Sequence, residues 1–358
     1  MELLNHLIKK GFFLLPFLLL YGGELSFYNP FEKNSIKFQN TSYSDFGSVY
    51  DLFHDWKTLY TKTNTNIAYQ DTSLQIQKEI RDNYYIGYFK KYEYFLQTNS
   101  DTVLFVYQIL NKQDLISDKQ YNLDLSLKGF SSDSLFISKN INYTNLQFNI
   151  SLFLHRLSDF QDGWVRGRGI IYNDNDYDYY VNSEYYYNHN YLYELDVKKA
   201  YGYGYSSSIS FKYKKEKISF ICITNDLISY IHIKNAPYSN VTINTSNKKI
   251  DENGHVTYTP TIYGLETYKD YNFKLMPKIR NELAYKNKYI IGDDYFMGYN
   301  FPYIGYIING YKINYGFRFK DIGVSGNIKN FQFQIGLNNI SIRKSSYLKL
   351  NMGYYYKF

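Results

Sequence analysis

The chain has 358 residues, 44% of them hydrophobic, enough for one large domain or two ordinary ones and for either a core or a lipid-facing belt. A net charge of +7, from 40 basic and 33 acidic residues, is too mild to mark a nucleic-acid binder, and a single cysteine, Cys222, excludes an internal disulfide. Aromatic residues make up 20%, with 45 Tyr and 26 Phe against 2 Trp, a composition that suits rings set at two membrane interfaces; biased base composition explains the Tyr and Asn enrichment equally well.

Lys9 and Lys10 precede Gly11-Phe-Phe-Leu-Leu-Pro-Phe-Leu-Leu-Leu20, an apolar run too short to span a membrane as a helix. It reads as a signal peptide over residues 1–23, cut near Gly22 or Gly23, and no lipobox follows. Residues 24–63 lack sustained alternation and are predicted to form an N-terminal periplasmic or lumenal segment. Within it, Ser48 and Asp51 resemble a capping box before Val49, Leu52, Phe53, Trp56 and Tyr60, so the spacing predicts a short helix over 49–60. That helix serves either as a strap on the periplasmic rim or as a plug in the lumen.

From residue 65 onward period two takes over. Tyr121, Leu123, Leu125 and Leu127 alternate with Asn122, Asp124, Ser126 and Lys128, and Ile313, Tyr315, Phe317 and Phe319 alternate with Lys312, Asn314, Arg318 and Lys320. Strands are predicted near 65–80, 84–97, 102–110, 119–129, 134–143, 145–156, 164–187, 191–213, 217–234, 254–266, 272–286, 288–298, 301–308, 311–324, 331–343 and 347–358. Merging a weak hairpin such as 288–308 gives an expected range of about 14 to 16. Counting back from the last strand assigns Lys214 to Glu216, Thr98 to Asp101 and Phe130 to Asp133 to the periplasmic side. The same count places Asn235 to Gly254 and the Asn309-Gly310 turn outside. Residues 164–213 exceed the 9 to 11 or so that a strand needs to cross a membrane, so this hairpin is expected to project beyond it.

The final stretch, YLKLNMGYYYKF, places Leu348, Leu350, Met352, Tyr354, Tyr356 and Phe358 on one face, and Lys349, Asn351, Gly353, Tyr355 and Lys357 on the other. This resembles the C-terminal signal of Gram-negative outer-membrane β-barrels, in which a closing strand ends in Phe and is read by the barrel assembly machinery. On that resemblance Leu350, Met352, Tyr354, Tyr356 and Phe358 are the assembly signal. The implied fold is all-β, a transmembrane antiparallel up-and-down barrel over 64–358. The implied location is the outer membrane, with both termini periplasmic. The implied partners are outer-membrane lipid and lipopolysaccharide, the assembly machinery and periplasmic chaperones, with no nucleic acid. In length, leader and N-terminal segment the chain also looks like the long-chain fatty-acid transporter type of barrel. Asn29-Pro30-Phe31 departs from that family's Asn-Pro-Ala signature, so the cargo does not carry over.

Motifs for chemistry are sparse. Asp174, Asp176 and Asp178 have the opening spacing of a calcium loop, but Tyr179 and Tyr185 replace its glycine and bidentate glutamate, leaving a solvated surface loop. His155 has a nucleophile nearby in Ser158, but a spacing of three puts the two on opposite faces of a strand. No cofactor, metal or enzymatic activity is expected. Arg166, Arg168, Lys274 and Arg318 fall on the inward parity of their strands together with Lys128, Lys212, Lys278, Lys312, Lys320, Lys349 and Lys357. Against this set the same strands are read as placing Asp124, Glu194 and Asp196. Arg166, Arg168, Lys274 and Arg318 are therefore the expected pore-lining residues of a passive, anion-preferring channel or facilitator for small solutes. The alternative is a surface protein, an adhesin or structural anchor, that uses the 164–213 hairpin.

Overall fold

The structure, a computed structural model, describes residues 25–356 apart from 33, 53, 55, 61–65, 174–175, 189–196, 251 and 253–255. The predicted leader, Glu194 and Phe358 lie outside the described residues. No helix among those residues is long and apolar enough to cross a membrane as a helix.

Alternation does what it predicts: the chain folds into one closed antiparallel barrel. Among the described residues it is built from 17 strand segments, some of which continue one another's line, so that the ring stays within the expected range of about 14 to 16 strands. In order these are β1 (Ser35–Ser44), β2 (Asn66–Arg81), β3 (Tyr84–Thr98), β4 (Lys119–Asn142), β5 (Leu146–Asn173), β6 (Asp176–Tyr187), β7 (Gly202–Lys215), β8 (Ile218–Asn225) and β9 (Ile228–Ile250). Then follow β10 (Val256–Phe273), β11 (Lys278–Tyr285), β12 (Tyr289–Phe296), β13 (Tyr299–Ile308), β14 (Tyr311–Gly316), β15 (Asp321–Ile328), β16 (Phe331–Leu337) and β17 (Tyr347–Tyr355). The hydrogen-bonded circuit runs from β1 through β2, β3, β4, β5, β7, β8 and β11. It continues from β12 in sequence to β17, which pairs back onto β1 from Tyr43↔Tyr347 to Ser35↔Tyr355. Closure leaves no sheet edge around the circuit, the condition for crossing lipid.

The last strand therefore closes the ring as predicted, onto a partner that the sequence pattern does not show. Ser35–Ser44 lies in the stretch read as lacking alternation, so the barrel begins at Ser35 rather than at 64. Several outward positions of β1 are polar, which masks the period.

The run 102–110, read as a strand, is instead helix α2 (Ser100–Leu110), following a one-turn α1 (Val49–Leu52). The Asn99 side chain caps α2 by accepting from the Thr102 amide at 2.8 Å, and Asp101 occupies the first turn. These signals outweigh the β-rich composition of a short apolar run. The helix predicted over 49–60 shrinks to α1, where Ser48 Oγ accepts from the Asp51 amide at 3.0 Å. Neither helix lies where a plug would. Val103 of α2 and Phe46 pack against Ala68, Leu96, Leu125 and Leu127 on the outside of β2, β3 and β4.

The remaining corrections concern where strands break: 164–187 runs from the end of β5 into β6, 217–234 is β8 and the start of β9, and the stretch Asn235 to Gly254, expected between strands, continues β9 as far as Ile250. Predicted strands 119–129 and 134–143 form the single β4, so Phe130 to Asp133 is no turn. Its neighbour β5 runs unbroken through 28 residues, with an extra residue, Ser158, between Leu157 and Asp159. That bulge switches which parity faces inward, and the switch imitates a turn in the sequence. Conversely, 311–324 is two strands, β14 and β15.

The start of β1 and the end of β17 lie at one rim, here the terminal rim, with the tight connections 82–83, 143–145, 216–217, 286–288, 309–310 and 329–330. Asn309 and Gly310 have positive φ, as does the Asp82-Asn83 pair, the geometry that two-residue hairpins require. The Asn309-Gly310 turn, expected on the opposite side, thus joins the chain ends, and Thr98 to Asp101 moves to the far rim with α2. At the far rim β4 and β5 rise past the circuit, where β6, β9 and β10 continue the lines of β7, β8 and β11 as a projecting wall. The expected projection is present, built from more of the chain than the 164–213 hairpin.

Outward positions carry a belt of exposed Ile, Leu and Tyr, among them Ile36, Ile76, Leu135, Leu154, Tyr205, Ile291, Ile304 and Ile322. Such a belt around a closed barrel is the exterior that lipid demands.

Candidate functional site

The lumen is filled. Leu25 to Glu32 threads through it as a strap, fixed to both halves of the barrel. The Leu25 amide donates to Asp294 on β12 at 3.0 Å, while its carbonyl accepts from Arg280 on β11 at 2.9 Å and from Lys349 on β17 at 3.2 Å. Ser26 Oγ lies 2.9 Å from Thr41 Oγ1 on β1, and its carbonyl accepts from Lys278 on β11 at 3.4 Å. Tyr28 pairs through its backbone amide with Asn225 on β8 at 2.9 Å. Its ring sits edge-on to Phe89, Phe136 and Phe153, with centroids 6.3, 5.1 and 5.1 Å away. Glu32 takes a 2.9 Å ion pair from Lys37, and its carbonyl accepts from Gln77. The void beside Ser26, Phe27 and Tyr28 is ≈ 10 Å³, at most about one water.

At the Leu25–Ser26 end of the strap, on its far-rim side, the inward faces of β2, β3 and β11 supply a buried ionic layer. Lys278 is paired with Asp71 and Glu93, and donates to Tyr69 Oη at 2.6 Å. Lys91 bridges Glu93 at 2.8 Å and Asp226 at 3.1 Å. Arg280 grips Asp294 with two bonds of 2.7 Å, a bidentate fork. His155 continues the layer: Nδ1 lies 2.7 Å from Ser134 Oγ and Nε2 lies 2.8 Å from Ser206 Oγ, which donates to Asp226 at 2.7 Å. Toward the far rim the lumen turns apolar, packed by Phe95, Phe130, Phe160, Phe273 and Phe296.

The expected pore residues do not converge. Arg166 and Arg168 keep inward parity on β5 but stand above the circuit, on the wall, where both are exposed and Arg166 lies 3.2 Å from Asp124. Arg318 lies at the far rim, 3.3 Å from Asp45 and 4.9 Å from the Tyr299 ring. Lys274 falls between β10 and β11 and is exposed, whereas Phe273 and Leu275 turn into the lumen. Of the wider basic set, Lys278 and Lys349 do reach the interior and are fully buried. Asp71, Glu93 and Asp294 lie on strands that carry none of the basic residues expected inside, so charge read strand by strand does not bring them together with Lys278 and Arg280. Asp71, in YQDTS, and Glu93, in KKYEYF, already stood on the polar parity of their strands, which was the available signal. His155 meets Ser134 and Ser206 across strands, which no local spacing encodes.

Of the expected assembly residues, Leu350, Met352 and Tyr354 pair with Asn40, Phe38 and Ile36 on β1, and Tyr356 Oη donates to the Gln77 carbonyl at 2.9 Å. Among the described residues no group of three or more His, Cys, Asp or Glu could hold a metal, and Asp178 accepts from Thr245 at 3.1 Å instead.

A closed antiparallel barrel with an apolar exterior and a polar interior is the architecture of outer-membrane barrels. No family model and no curated protein matches the chain. Among solved structures, it is similar to the deltaS2 mutant of the TodX monoaromatic hydrocarbon channel, with 9% identity and a TM-score of 0.29 over 90% of this chain and 89% of that one. It is also similar to the siderophore receptor PirA from Acinetobacter baumannii, with 8% identity and a TM-score of 0.19 over 90% of this chain and 80% of that one. Likenesses that loose carry no argument about path or ligand.

Proposed function

We propose that the chain is an integral outer-membrane barrel that passes small solutes passively, and that the strap Leu25–Glu32 holds it closed in this conformation. The observation that carries this reading is the strap itself, a segment independent of the sheet that fills a polar lumen. An anion preference, where present, belongs to the far mouth, where Arg166 and Arg168 are exposed, because lumenal cations such as Lys91, Lys278 and Arg280 are matched by carboxylates. Planar-bilayer recording tests the proposal. The intact protein should be mostly closed, and protein lacking Leu25–Glu32, checked for folding by heat-modifiable gel mobility, should show steady conductance steps. A folded variant that stays silent would overturn the channel reading. It would favour the surface-anchor alternative, which the wall of β4, β5, β6, β9 and β10 supports through its height alone.

A further inference from the structure

The height at which the lipid-facing belt ends can be read from strand register. Lys90 on β3 opposes Asp133 on β4, Asp133 opposes Arg156 on β5, Arg156 opposes Tyr203 on β7, and Tyr203 opposes His232 on β9. These side chains share the outward face, as one row across five neighbouring strands. The outward row below it, toward the terminal rim, contains Leu135, Leu154, Tyr205 and Tyr230, exposed by 64, 61, 47 and 47%. Above the row the outward positions Ser131, Asp159 and Gln161 are polar and Tyr92 and Tyr94 are aromatic, the mix of an interface. From Leu146 at the terminal rim to Arg156 is about ten residues, roughly 33 Å of strand, or about 25 Å of height at a tilt near 40°. That matches the apolar band of a membrane barrel, so the row lies where acyl chains give way to headgroups.

Within the row two cations flank one carboxylate. Lys90 reaches Asp133 at 3.6 Å with its side chain 58% exposed, and Tyr88 Oη also donates to Asp133. Arg156 lies with its guanidinium 4.8 Å from the exposed Tyr201 ring, which orients the fork along the barrel surface. We propose that Lys90 and Arg156 form a binding site on the barrel's exterior for the phosphate headgroup of a membrane lipid. The occupant is a lipid because the leucines directly beneath would meet its acyl chains, whereas a soluble ion would gain nothing from that row. Within the row the cations outnumber the carboxylate two to one, with Asp133 opposing the headgroup and Asp159 standing on the next outward row.

The test is native mass spectrometry of protein released from nanodiscs containing equal phosphatidylglycerol and phosphatidylcholine. Wild-type protein should retain phosphatidylglycerol preferentially, and Lys90→Gln with Arg156→Gln should reduce that retention about tenfold or more. Asp133→Asn should raise it, a change opposite to what loss of folding would produce. Lys139→Gln, beside Tyr84 near the terminal rim, should leave it unchanged. Equal retention by wild-type and the double variant would overturn the site. So would an equal loss in Lys139→Gln, which would make the effect one of net charge, or displacement of the lipid by millimolar inorganic phosphate, which would make the site one for a free ion.

Discussion

Replacing Tyr28 with Ala isolates the strap from the barrel that holds it. Tyr28 is 2% exposed and packs on Phe89, Phe136 and Phe153, but belongs to no strand, so its truncation removes docking energy and leaves the sheet ladder intact. An aromatic side chain cut to Ala in a packed interior costs about 3–5 kcal/mol, which at 1.4 kcal/mol per decade shifts the docked-to-undocked ratio of the strap by about two to three and a half decades. Tyr28→Phe is the matched control. It loses only long hydroxyl contacts, 3.3 Å to Ser138 and 3.4 Å to Ser151, worth about 1 kcal/mol together. Hydrogen exchange of the Leu25 and Tyr28 amides, now satisfied by Asp294 and Asn225, should accelerate strongly in Tyr28→Ala and slightly in Tyr28→Phe. Channel openings should rise in parallel. Unchanged exchange at these amides in a folded Tyr28→Ala barrel would refute the claim that this ring holds the strap down.

The ionic layer should behave differently. Lys278→Met leaves Asp71 and Glu93 buried with one cation fewer and should destabilise the barrel by about 3–5 kcal/mol, read as a lower temperature for the gel-mobility shift; adding Asp71→Asn should recover part of the loss. Deleting Phe358 should reduce assembly into the outer membrane far more than a charge placed at outward-facing Tyr203, because mismatch with lipid costs only about 2–4 kcal/mol at mid-bilayer and less near an interface; equal assembly would remove the special status of the C-terminus. Glu at both Arg166 and Arg168 should shift the reversal potential of the open channel toward cations at about 0.01 M salt and have little effect near 1 M, where the Debye length is about 3 Å. An unchanged low-salt preference would show that these wall arginines stand clear of the ion path.

Most of the barrel was legible because period two survives wherever one face meets lipid and the other meets polar groups, as in β2, β12 and β17. Legibility failed where a side of the sheet changed environment. The outward faces of β3 and β4 near the far rim meet α2 rather than lipid, and β1 carries Asn40 and Ser42 outward, so polarity there no longer reports direction. At Ser158 one added residue exchanges the two faces, and each half of β5 alternates faithfully while the whole does not. The interior was legible by sign and not by partner. Lys278 and Lys349 were placed inward by parity, but that Lys278 meets Asp71, some two hundred residues away in sequence, follows from the closing of the ring.

Strap and ionic layer are energetically separable, and that separation is what makes a transport reading physically coherent. If the strap withdrew, Lys278 would keep Asp71 and Glu93, Lys91 would keep Glu93 and Asp226, and Arg280 would keep its fork on Asp294. The pairs of the layer itself would stay intact, and the one described ion pair broken would be that of Glu32 with Lys37, at the strap's terminal-rim end, while Lys349 would give up the Leu25 carbonyl. Besides that pair, withdrawal gives up the packing of Tyr28 and a set of hydrogen bonds, each worth about 0.5–1.5 kcal/mol net and replaceable by water entering the same polar lumen. A lumen whose charges all depended on the strap for neutralisation would be locked; one whose ionic layer is paired along the wall, with Lys37 alone relying on Glu32 of the strap among the ion pairs described, can be vacated and refilled. The pairing that removes the expected anion filter from the lumen is thus the same feature that leaves its occupant free to move.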